Sequence, residues 1–227
     1  MAQCKWCDRS GWFLPVSGKG LCSTCSPIVE MDINQRLRII QDSAHIVSKS
    51  RQLDTRLSRW DLMVGHLEAL KSYEERGIPT LPNTSPSCQL REVETARDSL
   101  VLQTVKDDVG AMVEKGNAEL QAKRKIAMFT KALLKLRDYK KLLRDAHNIE
   151  QIEENEKRVE KGIHRLQLET FLDTAKKAEF KGQTRKALDQ YYEALYFLRN
   201  DAIDDSLQAA QISELELKIK ALGGDIK

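Results

Sequence analysis

Residues 4–25 read CKWCDRSGWFLPVSGKGLCSTC, and this stretch decides how the chain begins to fold. It holds two Cys-x2-Cys pairs, Cys4 with Cys7 and Cys22 with Cys25, separated by fourteen residues. Each pair makes a tight turn in which two sulfurs reach one metal ion about 2.3 Å away. Four thiolates complete a tetrahedron with no open coordination position, which is the structural type of zinc site. The four cysteines are therefore predicted to bind one Zn²⁺ ion, with a redox-active dithiol pair or an iron-containing or empty site as alternatives.

The residues around the two cysteine pairs predict a hairpin and then a helix. Residues 12–16 are strand-forming, and residues 17–20 are typical of a turn. Ser26 is a good N-cap, and Pro27 suits the first turn of a helix. The order of cysteine turn, hairpin and cysteine turn at a helix start resembles treble-clef zinc fingers, with the zinc ribbon as the neighbouring family. The resemblance covers residues 1–30 and implies a small module that binds DNA, RNA or protein, or that caps a fold.

Two tryptophans in this module have two competing interpretations. Trp6 and Trp12 could stack on bases while Lys5, Arg9 and Lys19 contact phosphates. Alternatively, the two rings form the small core around the metal. The core is the favoured interpretation, because so short a module has little else to bury.

The bulk composition limits the classes of protein. The chain has 227 residues, 6% aromatic and 31% charged, with a formal net charge of +3 at pH 7, which favours long solvated helices. Four thiolates on one Zn²⁺ ion leave a net charge of about +1, which does not argue for nucleic acid. The first ten residues lack the apolar core of a signal peptide, and the longest strictly apolar run, Ala194–Leu198, is too short to span a bilayer. We therefore expect a cytoplasmic or other reducing intracellular location and no membrane partner.

Residues 27–76 have the apolar spacing of a coiled coil. Two runs follow a 4-3-4-3 pattern and are offset from each other by one residue: Ile33, Leu37, Ile40, Ala44 and Val47, then Leu53, Leu57, Trp60, Val64 and Leu67. The pattern predicts one helix of about 50 residues, about 75 Å long. Arg76-Gly77-Ile78-Pro79 has the chemistry of a helix stop, and a proline-rich connection is predicted at residues 77–87.

A second helical tract is predicted over residues 88–145, with Gly110 and Gly116 as weak points. Its apolar positions include Leu90, Val93, Leu100, Val101, Val105, Val109, Met112 and Val113. The two tracts are predicted to form a helical hairpin or coiled coil over residues 27–145. The favoured arrangement is an antiparallel hairpin within one chain, and a parallel homodimer through the long helices is the alternative.

The second tract ends in a basic stretch. Residues 117–145 hold nine Lys or Arg against three acids, and residues 150–160 hold five glutamates. A basic stretch can bind phosphates, and Lys123, Arg124 and Lys125 are the candidates for that role. Opposite charges on adjacent helices can equally pair with each other or keep both faces solvated, which is the favoured interpretation.

The C-terminal region, residues 146–227, is predicted to be helical, and residues 171–200 resemble a tetratricopeptide repeat. The resemblance rests on the large and small positions of the repeat: Phe171, Ala175, Ala178, Gly182, Ala187, Tyr191 and Ala194. Ala175 replaces the usual glycine, Thr174 the usual leucine, and no proline closes the unit. The family implies partner binding in a groove, and an ordinary helical hairpin that packs on the rest of the body is the favoured alternative. A capping helix is predicted at residues 203–222.

No pattern of catalytic residues is found in the sequence. The four histidines lie in separate tracts, and no metalloprotease, hydrolase or phosphate-loop motif is present. The chain is therefore predicted to be mainly α, with a small four-cysteine zinc finger, long coiled-coil-like helices and a C-terminal hairpin. The favoured function is non-enzymatic: an interaction, scaffolding or adaptor protein with a protein partner. The alternative is a nucleic-acid-binding regulator that uses the finger and residues 117–145 and dimerises through its coiled coil.

Overall fold

The computed structural model describes residues 1–201, 203 and 205–226. Two short strands and seven helices are described: β1 (Ala2–Gln3), β2 (Ser10–Gly11), α1 (Cys25–Lys49), α2 (Leu53–Glu75), α3 (Pro86–Ala118), α4 (Ala122–Lys140), α5 (Ala146–Phe180), α6 (Thr184–Arg199) and α7 (Asp205–Ala221). The prediction of a mainly α fold is confirmed. The chain divides into two units, Met1–Gln103 and Thr104–Lys227. Among the described residues, none of the helices combines the length and the apolarity needed to cross a bilayer.

The first helical tract is two helices and not one, so the prediction of a helix of about 50 residues is wrong. The chain leaves helical geometry at Ser50, whose ψ is 140°, and stays extended at Gln52, whose ψ is 122°. The N–H of Gln52 donates to Ser50 Oγ at 3.2 Å and stabilises this turn. The one-residue offset between the two apolar runs falls at this break. α2 folds back on α1, so these two helices form an antiparallel pair. The sequence predicts such a pair between residues 27–76 and residues 88–145, but this one lies within residues 27–76.

The apolar face between α1 and α2 largely follows the predicted runs, and the clearest departure lies on α1. Ala44 is exposed, and Ser43, 1% exposed, lies in the contact in its place. A straight helix repeats every 3.6 residues, so a strict 3.5-residue spacing drifts off the contact face over several turns. The buried residues of this face are Val29, Ile33, Ile40, Ser43 and Val47 on α1, and Leu57, Met63, Val64, Leu67, Leu70 and Tyr73 on α2.

α2 ends at Glu75, where the sequence predicts a stop. Gly77 has a φ of +67°, a conformation that glycine adopts without strain. The N–H of Ile78 donates to the Tyr73 carbonyl at 2.9 Å, and the N–H of Gly77 donates to the Glu74 carbonyl at 2.8 Å. This pair of bonds is the Schellman end of a helix. Ile78 is 1% exposed and packs in the core of the first unit.

The second tract is also divided, but the break does not fall at a glycine. α3 continues through Gly110 and Gly116 and ends at Ala118. A Cβ atom at Gly116 would lie 2.7 Å from the ring of Phe129, so this glycine allows α4 to approach α3. Gly116 therefore serves close packing and does not end the helix, since α3 continues to Ala118.

The last three helices share a core of their own. Ala175, Ala187 and Ala194 are each 0% exposed, and Tyr191 is 2% exposed. Gly182, with a φ of +69°, lies in the turn between α5 and α6. These placements agree with the small and large positions quoted from the repeat pattern, but α5 has 35 residues, far more than a helix of a repeat unit of about 34 residues. The resemblance to a tetratricopeptide repeat therefore stays a prediction.

Candidate metal centre

The four predicted cysteines come together at one point. The Sγ atoms of Cys4, Cys7, Cys22 and Cys25 all lie within 4.8 Å of one another. Cys7 Sγ and Cys22 Sγ are 3.9 Å apart. A tetrahedral site with metal–sulfur bonds of about 2.3 Å has sulfur–sulfur edges of about 3.8 Å. The donor set and its spacing therefore fit a tetrahedral metal ion such as Zn²⁺.

The first pair is held by the two short strands. β1 and β2 are antiparallel, with Ala2 opposite Gly11 and Gln3 opposite Ser10. The N–H of Asp8 donates to the Cys4 carbonyl at 2.9 Å and closes the cysteine turn. Asp8 has a φ of 57°, a left-handed conformation that aspartate tolerates better than most residues.

The second pair is held by a smaller hairpin and by the start of α1. The turn predicted at residues 17–20 is present, since the N–H of Ser17 donates to the Leu21 carbonyl at 2.8 Å. Only a single bridge, Val16 with Cys22, closes it. The predicted N-terminal hairpin is therefore present, but its regular pairing is between β1 and β2, which flank the first cysteine pair. Residues 12–14 are not a strand, and Pro15 lacks an N–H for a ladder.

The helix begins earlier than the sequence suggests. α1 starts at Cys25, so Ser26 lies inside the helix and is not its N-cap. Ser26 Oγ donates to Glu30 Oε1 at 2.8 Å. The N–H groups of Cys25 and Ser26 donate to the Cys22 carbonyl at 3.1 and 2.9 Å, so the second cysteine turn leads directly into the helix.

The electrostatics of the four sulfurs favour a bound cation. Burial opposes ionisation of Cys4, but N–H donors from Cys7, Cys22 and Trp6 outweigh it and lower the pKa of Cys4 to about 6. Burial and the neighbouring sulfurs raise the pKa of Cys25 to about 12. Four sulfurs this close cannot all be thiolates unless a positive charge offsets their repulsion, and a divalent metal ion supplies it.

The segment that carries the four cysteines, residues 1–25, is called the metal module below. It packs against the end of α2. The ring of Trp6 stacks on Tyr73 with centroids 5.0 Å apart, and the Arg76 guanidinium lies 5.0 Å from the Trp6 centroid. Arg76 Nη1 donates to the Trp6 carbonyl at 2.8 Å, and Lys5 Nζ donates to the Gly77 carbonyl at 2.6 Å. The core interpretation is therefore correct for Trp6. Sequence reasoning missed Tyr73 and Arg76, which lie about seventy residues later and carry no local signal of this contact.

Trp12 has a different environment, and the core interpretation is wrong for it. Trp12 is 80% exposed and Phe13 is 97% exposed. The interior of the module is filled by Leu21, which is 0% exposed, and by Leu14, which packs against the same core.

The basic stretch at residues 117–145 has two kinds of surroundings. Near its end, Arg137 Nη2 lies 2.7 Å from Glu160 Oε1, and Lys140 Nζ lies 2.9 Å from Glu156 Oε2, so these charges pair between α4 and α5. Near its start, Lys123 and Arg124 are exposed, and Lys125 Nζ lies 6.0 Å from the centroid of the Phe129 ring. Within the part of the chain that the structure describes, no carboxylate pairs with these three residues.

The fold and the site together define a mainly helical protein with an N-terminal cluster of four cysteines that is compatible with a structural metal site. No protein-family model matches the chain, and no curated protein or solved structure is significantly similar to it. The functional conclusions therefore rest on the residues themselves.

Proposed function

We propose that this chain is a non-enzymatic interaction or scaffolding protein. A structural zinc ion fixes one end of the α1–α2 hairpin, and the C-terminal helices present a surface to a protein partner. The resemblance of residues 171–200 to a partner-binding repeat supports this role. The observation that carries it is the two-sided apolar character of α7.

α7 is apolar on two faces. One face packs in the core through Leu215 and Ile219, which are 4% and 0% exposed. On the other face, Leu207 is 81% exposed and Leu217 is 65% exposed, and Ala210 and Ala221 are also exposed. These four residues follow the 3-4 spacing of a helix contact face, interrupted only at position 214. A helix that is apolar all round is typical of a buried helix, so the outer face of α7 suits contact with another helix.

The test is partner binding by the full chain and by a variant with Leu207→Ser and Leu217→Ser. The purified wild type should recover a specific protein from an extract of the source cells, and the variant should lose it. The recovered protein, once purified, should bind the wild type at least about tenfold more tightly than the variant, as expected for removing two apolar anchors. Leu120→Ser is the matched control, because Leu120 is 98% exposed but lies outside α7. Light scattering on the same samples detects a second copy of this chain as the partner.

Equal recovery by the wild type and the α7 variant would contradict the proposal. So would a wild-type chain that stays monomeric and recovers no specific partner.

The second candidate is the nucleic-acid-binding regulator. The observation that favours it is that Lys123 and Arg124 are exposed and have no ion-pair partner among the described residues, because such cations are available to phosphates. The paired state of Arg137 and Lys140 counts against a continuous basic surface along α4. Charge reversal at Lys123, Arg124 and Lys125 should abolish nucleic-acid binding if this candidate is correct.

A further inference from the structure

Two consecutive aromatic side chains of the metal module face solvent. Trp12 and Phe13 are 80% and 97% exposed. The backbone is fixed on both sides of them: Gly11 pairs with Ala2 in the sheet, and Leu14 packs against the core of the first unit. Single exposed apolar residues are common, but two consecutive exposed rings on an anchored turn are a larger apolar area than such single residues present.

The size of this surface limits its occupant. Two aromatic side chains offer about 300–500 Å² of contact area. A stable protein interface buries about 800 Å² on each partner, so the pair is too small to hold a second copy of this chain by itself. A nucleic-acid base needs only the face of a ring, and every base has such a face.

The exposed charges that flank the two rings in sequence are mostly positive. Arg9 is exposed three residues before Trp12, and no described carboxylate pairs with it. Lys19 has only a loose ion pair with Glu30, at 3.9 Å, with both side chains about 40% exposed. Asp8, the acid nearest in sequence, lies 3.6 Å from Arg76. Arg9 and Lys19 are therefore available to phosphate groups.

We propose that Trp12 and Phe13 form a stacking platform for a single-stranded nucleic acid, with Arg9 and Lys19 on its phosphates. A duplex is excluded as the ligand of such a platform, because its base faces are already covered by neighbouring bases. This activity goes beyond the proposed scaffolding function and uses residues that lie outside α7 and outside the basic stretch.

The platform has a characteristic salt dependence. On single strands the logarithm of affinity falls by about 0.7 for each neutralised phosphate per tenfold rise in salt. Two phosphate contacts therefore give a slope of about −1.4, which is shallow for a nucleic-acid-binding protein. Each stacked ring should contribute about 5- to 150-fold in affinity.

The experiment measures fluorescence anisotropy of labelled oligonucleotides of about 12 nucleotides with the full, zinc-loaded chain. Oligo-dT, oligo-rU and a mixed-sequence duplex are the probes. The wild type should bind both single strands but not the duplex. Two variants remove the rings: Trp12→Ala with Phe13→Ala, and Trp12→Leu with Phe13→Leu, which keeps apolar bulk. Both should lose binding while zinc content and circular dichroism stay unchanged.

Three further variants show which residues are responsible for the binding. Phe180→Ala is the matched control, because Phe180 is 94% exposed but lies at the end of α5, and this variant should bind like the wild type. Arg9→Glu with Lys19→Glu should weaken binding and flatten the salt slope. Lys123→Glu with Arg124→Glu and Lys125→Glu should leave binding unchanged.

Absence of single-strand binding by the wild type would overturn the proposal and leave the rings to a protein partner. Binding that survives loss of both rings would also overturn it. Binding lost only in the variant of residues 123–125 would transfer the activity to the basic stretch. None of these results depends on the α7 variants, so the scaffolding function is tested independently of the stacking platform.

Discussion

The four cysteines differ mainly in exposure and in what their backbone groups do. Cys4 and Cys22 are 0% and 2% exposed, whereas Cys7 is exposed and Cys25 is half-buried. The N–H of Cys22 donates to Cys4 Sγ at 3.3 Å, and the Cys22 carbonyl accepts from two N–H groups of the first turn of α1. Cys22 therefore joins the metal site to the helix.

Cys22→Ser should abolish zinc binding, because a hydroxyl is a weak zinc ligand beside three thiolates. Zinc binding contributes about 10–16 kcal/mol in small finger peptides, so residues 1–26 should unfold while far-UV circular dichroism keeps most of the helical signal. Elemental analysis measures the metal and should find about one zinc per wild-type chain. Cys88→Ser is the control and should keep that zinc, because the remaining cysteine lies in α3. Stoichiometric iron in the wild type, or full zinc in Cys22→Ser, would show that the assignment is wrong.

The clustering of the four cysteines could be predicted from the sequence, but the different environments of the two tryptophans could not. Ligand spacing is local chemistry, since each Cys-x2-Cys turn places two sulfurs within reach of one ion. Trp6 and Trp12 look alike in sequence, and only the return of α2 distinguishes them by placing Tyr73 beside Trp6. A contact made by residues so far apart leaves no periodic signal in either segment.

At the level of secondary-structure elements, α1 and α2 contact each other through their apolar faces and through a hydrogen bond between Tyr73 and Asp32. Tyr73 Oη donates to Asp32 Oδ2 at 2.7 Å, and Arg36 Nε donates to the same oxygen at 2.7 Å. The Arg36 hydrogen bond, opposed by burial and assisted by Tyr73, lowers the pKa of Asp32. Burial and the bond to Asp32 raise the pKa of Tyr73 to about 12.

Tyr73→Phe should reduce the free energy of unfolding of the first unit by about 1 kcal/mol near neutral pH, because one hydrogen bond to a charged acceptor is lost. Asp32 has a lowered pKa, so its contribution is present above its unfolded value of 3.8 and is lost as pH falls through the folded value. The difference between wild type and variant should therefore shrink below pH 3.8. Tyr73 has a raised pKa, so the wild type also loses stability between pH 10 and about 12, and the variant lacks this loss.

Urea unfolding followed by tryptophan fluorescence measures this effect. All three tryptophans, Trp6, Trp12 and Trp60, lie in the first unit, so the signal reports on that unit alone. Tyr196→Phe is the control, because Tyr196 is 67% exposed on α6 and should change nothing. A difference that is independent of pH would contradict the role given to Asp32.

The two helix boundaries of the first tract were not equally predictable. The end of α2 carries glycine and proline, whose backbone preferences act locally, and it lies where the sequence indicates. The break at residues 50–52 has neither residue, and only the offset between the two apolar runs marks it. The sequence pattern predicts one continuous helix, whereas the offset coincides with a reversal of the chain.

At the level of the whole molecule, the two units have separate cores. Cys4, Leu21 and Cys22 share one core with Val29 and Tyr73. Leu198, Ile219 and their neighbours in α5–α7 form another. The metal site is thus part of the packing of the first unit only, and the sequence did not reveal this because the apolar patterns of both units look alike.

Removal of zinc with a chelator should therefore affect the two units differently. Hydrogen–deuterium exchange should speed up at the start of α1 and the end of α2, since both pack on the metal module, and should stay unchanged in α5–α7. Mass spectrometry of peptides from these helices measures the exchange. Addition of zinc should restore protection in α1 and α2. Equal loss of protection in α5–α7 would show that their core depends on the metal.

The contacts between the metal module and the end of α2 can form only after α2 has been synthesised. The ribosome releases residues 4–25 well before residues 73–78, so the cysteines can capture metal while α2 does not yet exist. Lys5 then has no Gly77 carbonyl to bind, and Trp6 has no Tyr73 to stack on. Metal binding by the four cysteines can therefore precede the docking of Trp6 and Lys5 on the end of α2.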